Sequence, residues 1–102
     1  MRTLNLVNKS PFEKNCLESC VRLAKLDASV LLIEDGVYAA LDKSAKSFLI
    51  KNHQQHLSFY VLIDDLDSRG LTNMAMIDGV KKLDYGGFVD LVVNHDAVHS
   101  WL

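Results

Sequence analysis

The chain has 102 residues, of which 49% are hydrophobic and 24% are charged, and its formal net charge at pH 7 is −2. This length predicts one domain over residues 1–102 with a single modest core. The slightly negative charge offers no basic surface, so we expect no direct binding to nucleic acid or to an anionic membrane. No apolar run reaches the ~18 residues of a membrane span, and Met1 to Val7 does not resemble a signal peptide, so we expect a cytoplasmic protein.

The stretch from Ser10 to Leu26 predicts an amphipathic helix. Ser10 supplies a hydroxyl that can cap an unpaired amide, Pro11 suits the first helical position, and the Glu13 carboxylate completes a capping box. At about 100° per residue, the apolar side chains of this stretch fall on one half of the helical wheel, and both cysteines of the chain are among them.

Cys16 and Cys20 lie one turn apart on this predicted helix, a spacing that suits neither a disulfide nor a zinc or redox motif. We therefore expect two thiols. Cys20 lies near the centre of the apolar arc and beyond the reach of the helix dipole, which favours packing in the core over reactivity, and the same holds more strongly for Cys16. An apolar arc can also face a cleft or a partner subunit, so both interpretations of Cys20 stay open.

Alternating strands and helices predict an α/β fold, a single open, mainly parallel sheet of four to five strands flanked by helices. Lys81 and Lys82 suit an edge strand. The segments that predict strands are Thr3 to Val7, Ala28 to Ile33, Leu57 to Ile63, and Val80 to Asp84.

Three further helical segments follow these strands. Asp35 can cap a segment that reaches Leu41, Asp64 to Gly70 predicts one or two turns, and a last helix around Phe88 is expected to run to about His95 or His99. The loops after the first four strands should then share one rim of the sheet, where ligands collect in such folds. Those loops are Asn8 to Phe12, Glu34 to Tyr38, Ile63 to Asp67, and Asp84 to Gly87.

Other kinds of site receive little support from the sequence. The five glycines form no phosphate-binding fingerprint, so we expect no nucleotide cofactor. The histidine pairs His53-x-x-His56 and His95-x-x-x-His99, the second on one face of the last predicted helix, lack further ligands, so we expect no metal site. Glu34 and Asp35 could act as acid and base, but capping by Asp35 is the simpler interpretation. Trp101 and Leu102 either fold back on the domain or dock on a neighbour.

The order of these pieces resembles that of the DsrH/TusB family, the smallest subunits of the DsrEFH and TusBCD sulfur-relay complexes. The resemblance runs from end to end, and its order, spacing and total length are more specific than any one motif. The matching runs are Asn8-Lys9-Ser10-Pro11-Phe12, Leu17-Glu18-Ser19-Cys20, Val30-Leu31-Leu32, Glu34-Asp35-Gly36-Val37-Tyr38-Ala39-Ala40, Tyr60-Val61-Leu62, Asp65-Leu66, Arg69-Gly70, Asp84-Tyr85, Phe88-Val89-Asp90-Leu91 and Trp101-Leu102.

The resemblance implies a DsrE/DsrF/DsrH-like fold and a heterohexamer with two larger paralogous subunits, one DsrE/TusD-like and one DsrF/TusC-like. It also implies transfer of persulfide sulfur to a downstream acceptor protein without a cofactor, in a complex rather than by a stand-alone enzyme. Cys20 matches the cysteine of the DsrH-like members, so it is the candidate persulfide-accepting or modulating thiol and favours a role in oxidation of stored sulfur or sulfide. The alternative is a TusB-like, largely structural subunit of the complex that relays sulfur for 2-thiolation of a tRNA wobble uridine. No role carries over to Cys16.

Overall fold

Five parallel strands form one sheet in the computed structural model, which describes residues 2–101. The sheet order is β4-β3-β2-β1-β5. This confirms the predicted α/β class and parallel sheet. The strands are β1 (Thr3–Val7), β2 (Ser29–Leu32), β3 (Ser58–Leu62), β4 (Lys81–Leu83) and β5 (Ala97–Trp101), and the helices are α1 (Cys16–Leu23), α2 (Phe48–Lys51), α3 (Ile63–Ser68) and α4 (Tyr85–Val93), with a 3-10 helix at Glu34–Ala40.

The main core lies on one face of this sheet. From β1 to β4, each strand is added on the same side of the previous one, and right-handed crossovers therefore place the connecting helices on one face of the sheet. The connection from β4 to β5 runs back across the sheet and places α4 on the other face. The core cluster contains side chains of α1, the 3-10 helix, α2 and α3, and none of α4. All four residues of β2 are buried, as its unbroken apolar run predicts.

The fifth strand replaces the end of the predicted last helix. Helix α4 stops at Val93, and residues Ala97–Trp101 pair in parallel with β1. Asp96 anchors the change of direction, because its carboxylate accepts the Arg2 backbone N–H at 2.7 Å and its own N–H donates to the Arg2 carbonyl at 2.9 Å. The predicted extension of the helix to His95 or His99 is therefore wrong, since the open edge of β1 supplies hydrogen bonds that no local pattern shows.

Helix α1 begins five residues later than the capping signals predict, at Cys16 instead of Pro11. The Ser10 carbonyl accepts the N–H groups of Glu13 and Lys14, both at 3.1 Å, and the Ser10 hydroxyl accepts that of Phe12 at 3.2 Å. These bonds close a separate turn, and the helix starts only at Cys16. Cys20 is consequently the fifth residue of a helix of eight residues, much nearer to its start than the sequence indicates.

The passage from β2 into the 3-10 helix requires a glycine. The Ile33 N–H donates to the Val7 carbonyl at 3.0 Å, and a Cβ atom at Gly36 would lie 2.2 Å from that same carbonyl oxygen. Asp35 does not cap this helix, contrary to the prediction, because the residue at the cap position is Ile33 and no side chain bonds there.

A chain of hydrogen bonds crosses the sheet and holds the last strand. The Trp101 indole N–H donates to the Asn5 side-chain oxygen at 3.0 Å, and the Asn5 amide donates to the Ser29 carbonyl at 3.2 Å. The Ser29 hydroxyl and the Nε2 atom of His95 are 2.8 Å apart, and His95 Nδ1 lies 2.6 Å from the Leu91 carbonyl. Since a carbonyl only accepts, Nδ1 donates to Leu91, and in the neutral form of the ring Nε2 then accepts from the Ser29 hydroxyl. Trp101 thus folds back on its own domain, while Leu102 lies outside the described residues.

We predict that Gly36→Ala destabilises the protein by more than about 3 kcal/mol. The new methyl group would overlap the Val7 carbonyl and push the segment after β2 away from the end of β1. Urea denaturation followed by circular dichroism measures this change. Gly86→Ala is the matched control. Its Cβ would meet only an ordinary contact at 3.5 Å within a helix, so its free energy of unfolding should stay equal or rise by up to about 1 kcal/mol. Equal stability of the two variants would contradict the close approach.

Candidate functional site

The loops that leave β1, β2, β3 and β4 meet at one rim of the sheet, as predicted, because all the strands are parallel. Helix α1, which contains both cysteines, follows the loop after β1 and therefore starts from this rim. The candidate site is therefore the start of α1 together with the loops after β2 and β3.

Cys20 lies in the core and not on a surface. Its side chain is 0% exposed and belongs to the same cluster as Val7, Leu17 and Val30. Burial raises the pKa of the Cys20 thiol from 9.0 to about 12, because the thiolate would lose its hydration. In this conformation of the single chain, the Cys20 sulfur is a neutral thiol that no donor or acceptor protein can contact. Its role in sulfur transfer stays a prediction.

Cys16 is the more accessible of the two sulfur atoms. It is half-buried at the first position of α1, preceded by Asn15, and its side chain packs against the edge of the core cluster. The sequence favours packing over reactivity more strongly for Cys16 than for Cys20, yet Cys16 is only partly buried whereas Cys20 is fully buried. The reason is the late start of the helix, which moves Cys16 from the middle of a long apolar face to an end.

Charged side chains connect the loops after β2 and β3. Arg69 donates from Nε to the Asp35 carboxylate at 2.9 Å and from a terminal nitrogen to the Asp65 carbonyl at 3.3 Å. The Asp65 carboxylate accepts the Glu34 backbone N–H at 2.7 Å. Glu34 has a φ of 48°, a left-handed conformation that costs a residue with a side chain about 1 kcal/mol, and this bond helps to hold it there.

These contacts change the interpretation of the acidic pair. Glu34 and Asp35 are both exposed, and the Asp35 carboxylate forms an ion pair with Arg69 instead of capping a helix. The residues predicted for this rim do not include Arg69, the partner of Asp35. Its position is a sequence signal for such a role, because Arg69 lies next to Gly70 at the end of α3, a short acidic helix whose amino end faces the same rim. The pairing of β2 with β3 is still needed to bring the two loops together.

The histidines do not form the predicted helical pair. His95 follows α4 and binds Ser29, whereas His99 lies on β5 and stacks on Trp101 with ring centroids 4.6 Å apart. His53 and His56 meet edge to face at 5.5 Å. Within residues 2–101, no group of three or more His, Cys, Asp or Glu side chains is arranged to hold a metal ion. Over the same residues, no helix has the length and apolar character needed to cross a membrane.

Comparisons with known proteins agree with the fold and identify relatives. The family model described as "DsrH like protein" matches residues 9–98. Proteins named TusB from Yersinia pestis (strain Pestoides F) and Yersinia pseudotuberculosis serotype O:1b (strain IP 31758) are each 36% identical to the chain over 98 residues, which is 96% of the chain and 99% of each relative.

Two solved structures are similar in fold. The ychN protein from E. coli superimposes with a TM-score of 0.77 at 19% identity, over 98% of this chain and 99% of its own. The protein of unknown function MTH1491 from Methanobacterium thermoautotrophicum gives a TM-score of 0.71 at 19% identity, over 90% of this chain and 88% of its own. At this level of identity, the likeness concerns the arrangement of strands and helices.

We predict that a maleimide labels Cys16 in the native protein at least about a hundredfold faster than Cys20, because alkylation needs an accessible thiolate and Cys20 is exposed only when the structure opens. Peptide mapping by mass spectrometry measures both rates. In urea the two cysteines should react alike. The control variant Cys16→Ser should take up almost no label while folded, and rapid native labelling of Cys20 would contradict the buried position.

We also predict a pH effect that depends on Cys20. Because its pKa is about 12 in the folded chain and near 9.0 in the unfolded chain, the thiol contributes stability below pH 9 that is lost progressively as the pH rises toward 12. The free energy of unfolding should therefore fall more steeply between about pH 8 and about pH 10.5 for the wild type than for Cys20→Ala. The neighbouring core variant Val21→Ala keeps the thiol and should keep the wild-type slope, so an equal slope in Cys20→Ala would count against the shift.

Proposed function

Because the chain belongs to the DsrH/TusB family, whose members are subunits of sulfur-relay complexes, we propose that it is the TusB-like subunit of a complex that relays sulfur for 2-thiolation of a tRNA wobble uridine. It contributes to assembly and orientation of the complex, and it does not itself carry the transferred sulfur atom. It acts in the cytoplasm with two larger paralogous subunits, one TusD-like and one TusC-like, in a heterohexamer of two copies each.

The observation that carries this proposal is the full-length likeness to proteins named TusB. The match covers 96% of this chain and 99% of the relative, so it is not confined to one motif. The matched region reaches from β1 to β5, so it includes all five strands of the described sheet. The proposal therefore concerns the whole chain rather than a shared motif.

The state of Cys20 supports a non-transferring subunit. Sulfur transfer begins when a thiolate attacks the outer sulfur of a persulfide, forms a new sulfur–sulfur bond, and releases the donor as a thiolate. Such an attack needs an ionised sulfur in contact with the donor protein. The Cys20 thiol has a pKa of about 12 and no exposed surface, so both conditions require an opening of the core around α1.

The apolar surface beside the rim supports a role in assembly. Phe12 and Met74 are both more than half exposed and line one cavity of about 290 Å³ with Leu41 and Ala75. Large apolar side chains at the mouth of a cavity are typical of positions that another protein covers. Phe12 belongs to the turn that precedes α1, so a subunit seated on this surface would contact that turn.

The second candidate function is the one that Cys20 favours from the resemblance, a DsrH-like subunit in oxidation of stored sulfur or sulfide, with Cys20 accepting persulfide. Its support is the presence of a cysteine at that position. The relatives named TusB and the burial of the thiol favour the tRNA-thiolation role over it. The two candidates differ in whether the Cys20 sulfur atom is needed once the complex has formed.

The test is complementation of a bacterium that lacks its own TusB, TusC and TusD with this chain and its two paralogous partners. We expect thiolated wobble uridine in the tRNA, measured by mass spectrometry of the nucleosides. Cys20→Ala, which removes the sulfur without introducing a buried hydroxyl, should keep thiolation within about twofold of wild type, as should the matched control Cys16→Ala. Size measurement of the purified complex checks that each variant is incorporated.

Two results would overturn the proposal. Absence of thiolated uridine with a correctly assembled wild-type complex would remove the tRNA role. Loss of thiolation in Cys20→Ala, with the variant chain incorporated and with Cys16→Ala active, would make Cys20 a transferring thiol and overturn the statement that this subunit does not carry sulfur.

A further inference from the structure

The two edges of the sheet are protected very differently. Strand β4 has three residues, and two of them are the exposed lysines Lys81 and Lys82, which discourage pairing with another strand. Strand β5 has five residues, Ala97–Trp101, with no proline and no Asp, Glu, Lys or Arg. Among the described residues, its outer side has no strand neighbour. One edge is therefore closed to pairing, and the other presents unpaired backbone donors and acceptors.

We propose that β5 is a self-association edge, at which it pairs with β5 of a second copy of this chain across a two-fold axis. The pairing is antiparallel and joins two five-stranded sheets into one. It concerns the chain with itself and does not depend on the sulfur-relay function. An isologous contact of this kind closes on itself and gives a dimer rather than a filament.

The alternation of side chains selects the register. Trp101 packs against the main core, so Ala97 and His99 share its face of the sheet, and Val98 and Ser100 point to the face of α4. Directly opposed residues of an antiparallel pair lie on the same face. The register that uses all five residues places His99 opposite His99 of the second copy, Ala97 opposite Trp101, and Val98 opposite Ser100. The large side chains of Trp101 and Val98 then face the small ones of Ala97 and Ser100, and the two His99 rings face each other at the axis.

Apolar surface beside β5 adds to the backbone pairing. Two paired strands are marginal in water unless apolar area is covered with them. Leu23 and Leu26, which are 66% and 75% exposed, line a cavity of about 290 Å³ with His99 and Trp101, next to this edge. On the other face Val98 is 47% exposed. A second copy is the occupant that fits, because both the backbone pattern and the side-chain pairs are self-complementary.

The experiment measures self-association of the full-length chain by sedimentation equilibrium over a range of concentrations. The wild type is expected to show a monomer–dimer equilibrium. Val98→Lys places on β5 the kind of residue that protects β4, and it should raise the dimer dissociation constant at least about tenfold. Val89→Lys is the matched control, because Val89 on α4 is the same residue type with 46% exposure against 47% for Val98, and it should leave the constant unchanged.

A second measurement does not depend on any variant. Backbone amide exchange in β5 should slow as the wild-type concentration rises, while exchange in β4 should not change. A wild-type chain that stays monomeric at its highest soluble concentration would overturn the proposal, as would equal effects of the two lysine variants. Protection of β5 only in the presence of another protein would also overturn it, because the occupant would then not be a second copy.

Discussion

Strand β1 pairs in parallel on both of its sides, and this double pairing fixes the positions of its neighbours. Val7, its last residue, aligns with Leu32 of β2 and with Trp101 of β5. The Val7 carbonyl also receives the Ile33 N–H and leaves no room for a side chain at Gly36. The strand therefore positions the last segment of the chain, the loop after β2, and the sheet face on which α1 packs.

The location of Cys20 follows from that arrangement. Helix α1 lies against the face formed by β1 and β5, and the side chains that it buries are Leu17, Cys20 and Val21. Burial of this kind stabilises a neutral thiol and disfavours a thiolate for the same physical reason, the loss of water around the charge. A cysteine that packs well is thus a poor nucleophile, and a sulfur-transfer role for it requires a change in the structure around α1.

Two parts of the surface differ in how they can contact other proteins. Ion pairs of Arg69 with Asp35 and Asp65 connect the loops after β2 and β3. These charged groups keep their hydration when the rim stays in contact with water. The surfaces beside β5 and around Phe12 expose apolar side chains instead. Assembly through the apolar surfaces would leave the charged rim accessible, where the loops of a parallel sheet usually act.

Features that depend on neighbouring residues along the chain can be predicted from the sequence. The unbroken apolar run at β2 predicts its complete burial, the lysines of β4 predict an edge, and the position of Cys20 on the apolar arc predicts its packing. Three other features follow from tertiary contacts: Ala97–Trp101 is a strand, α1 starts at Cys16, and Asp35 binds Arg69. Each of these depends on hydrogen bonds or charges contributed by residues distant in the sequence. The same limit applies to the burial of the two cysteines. Their spacing shows that they share a helix face, but it does not show where the helix begins.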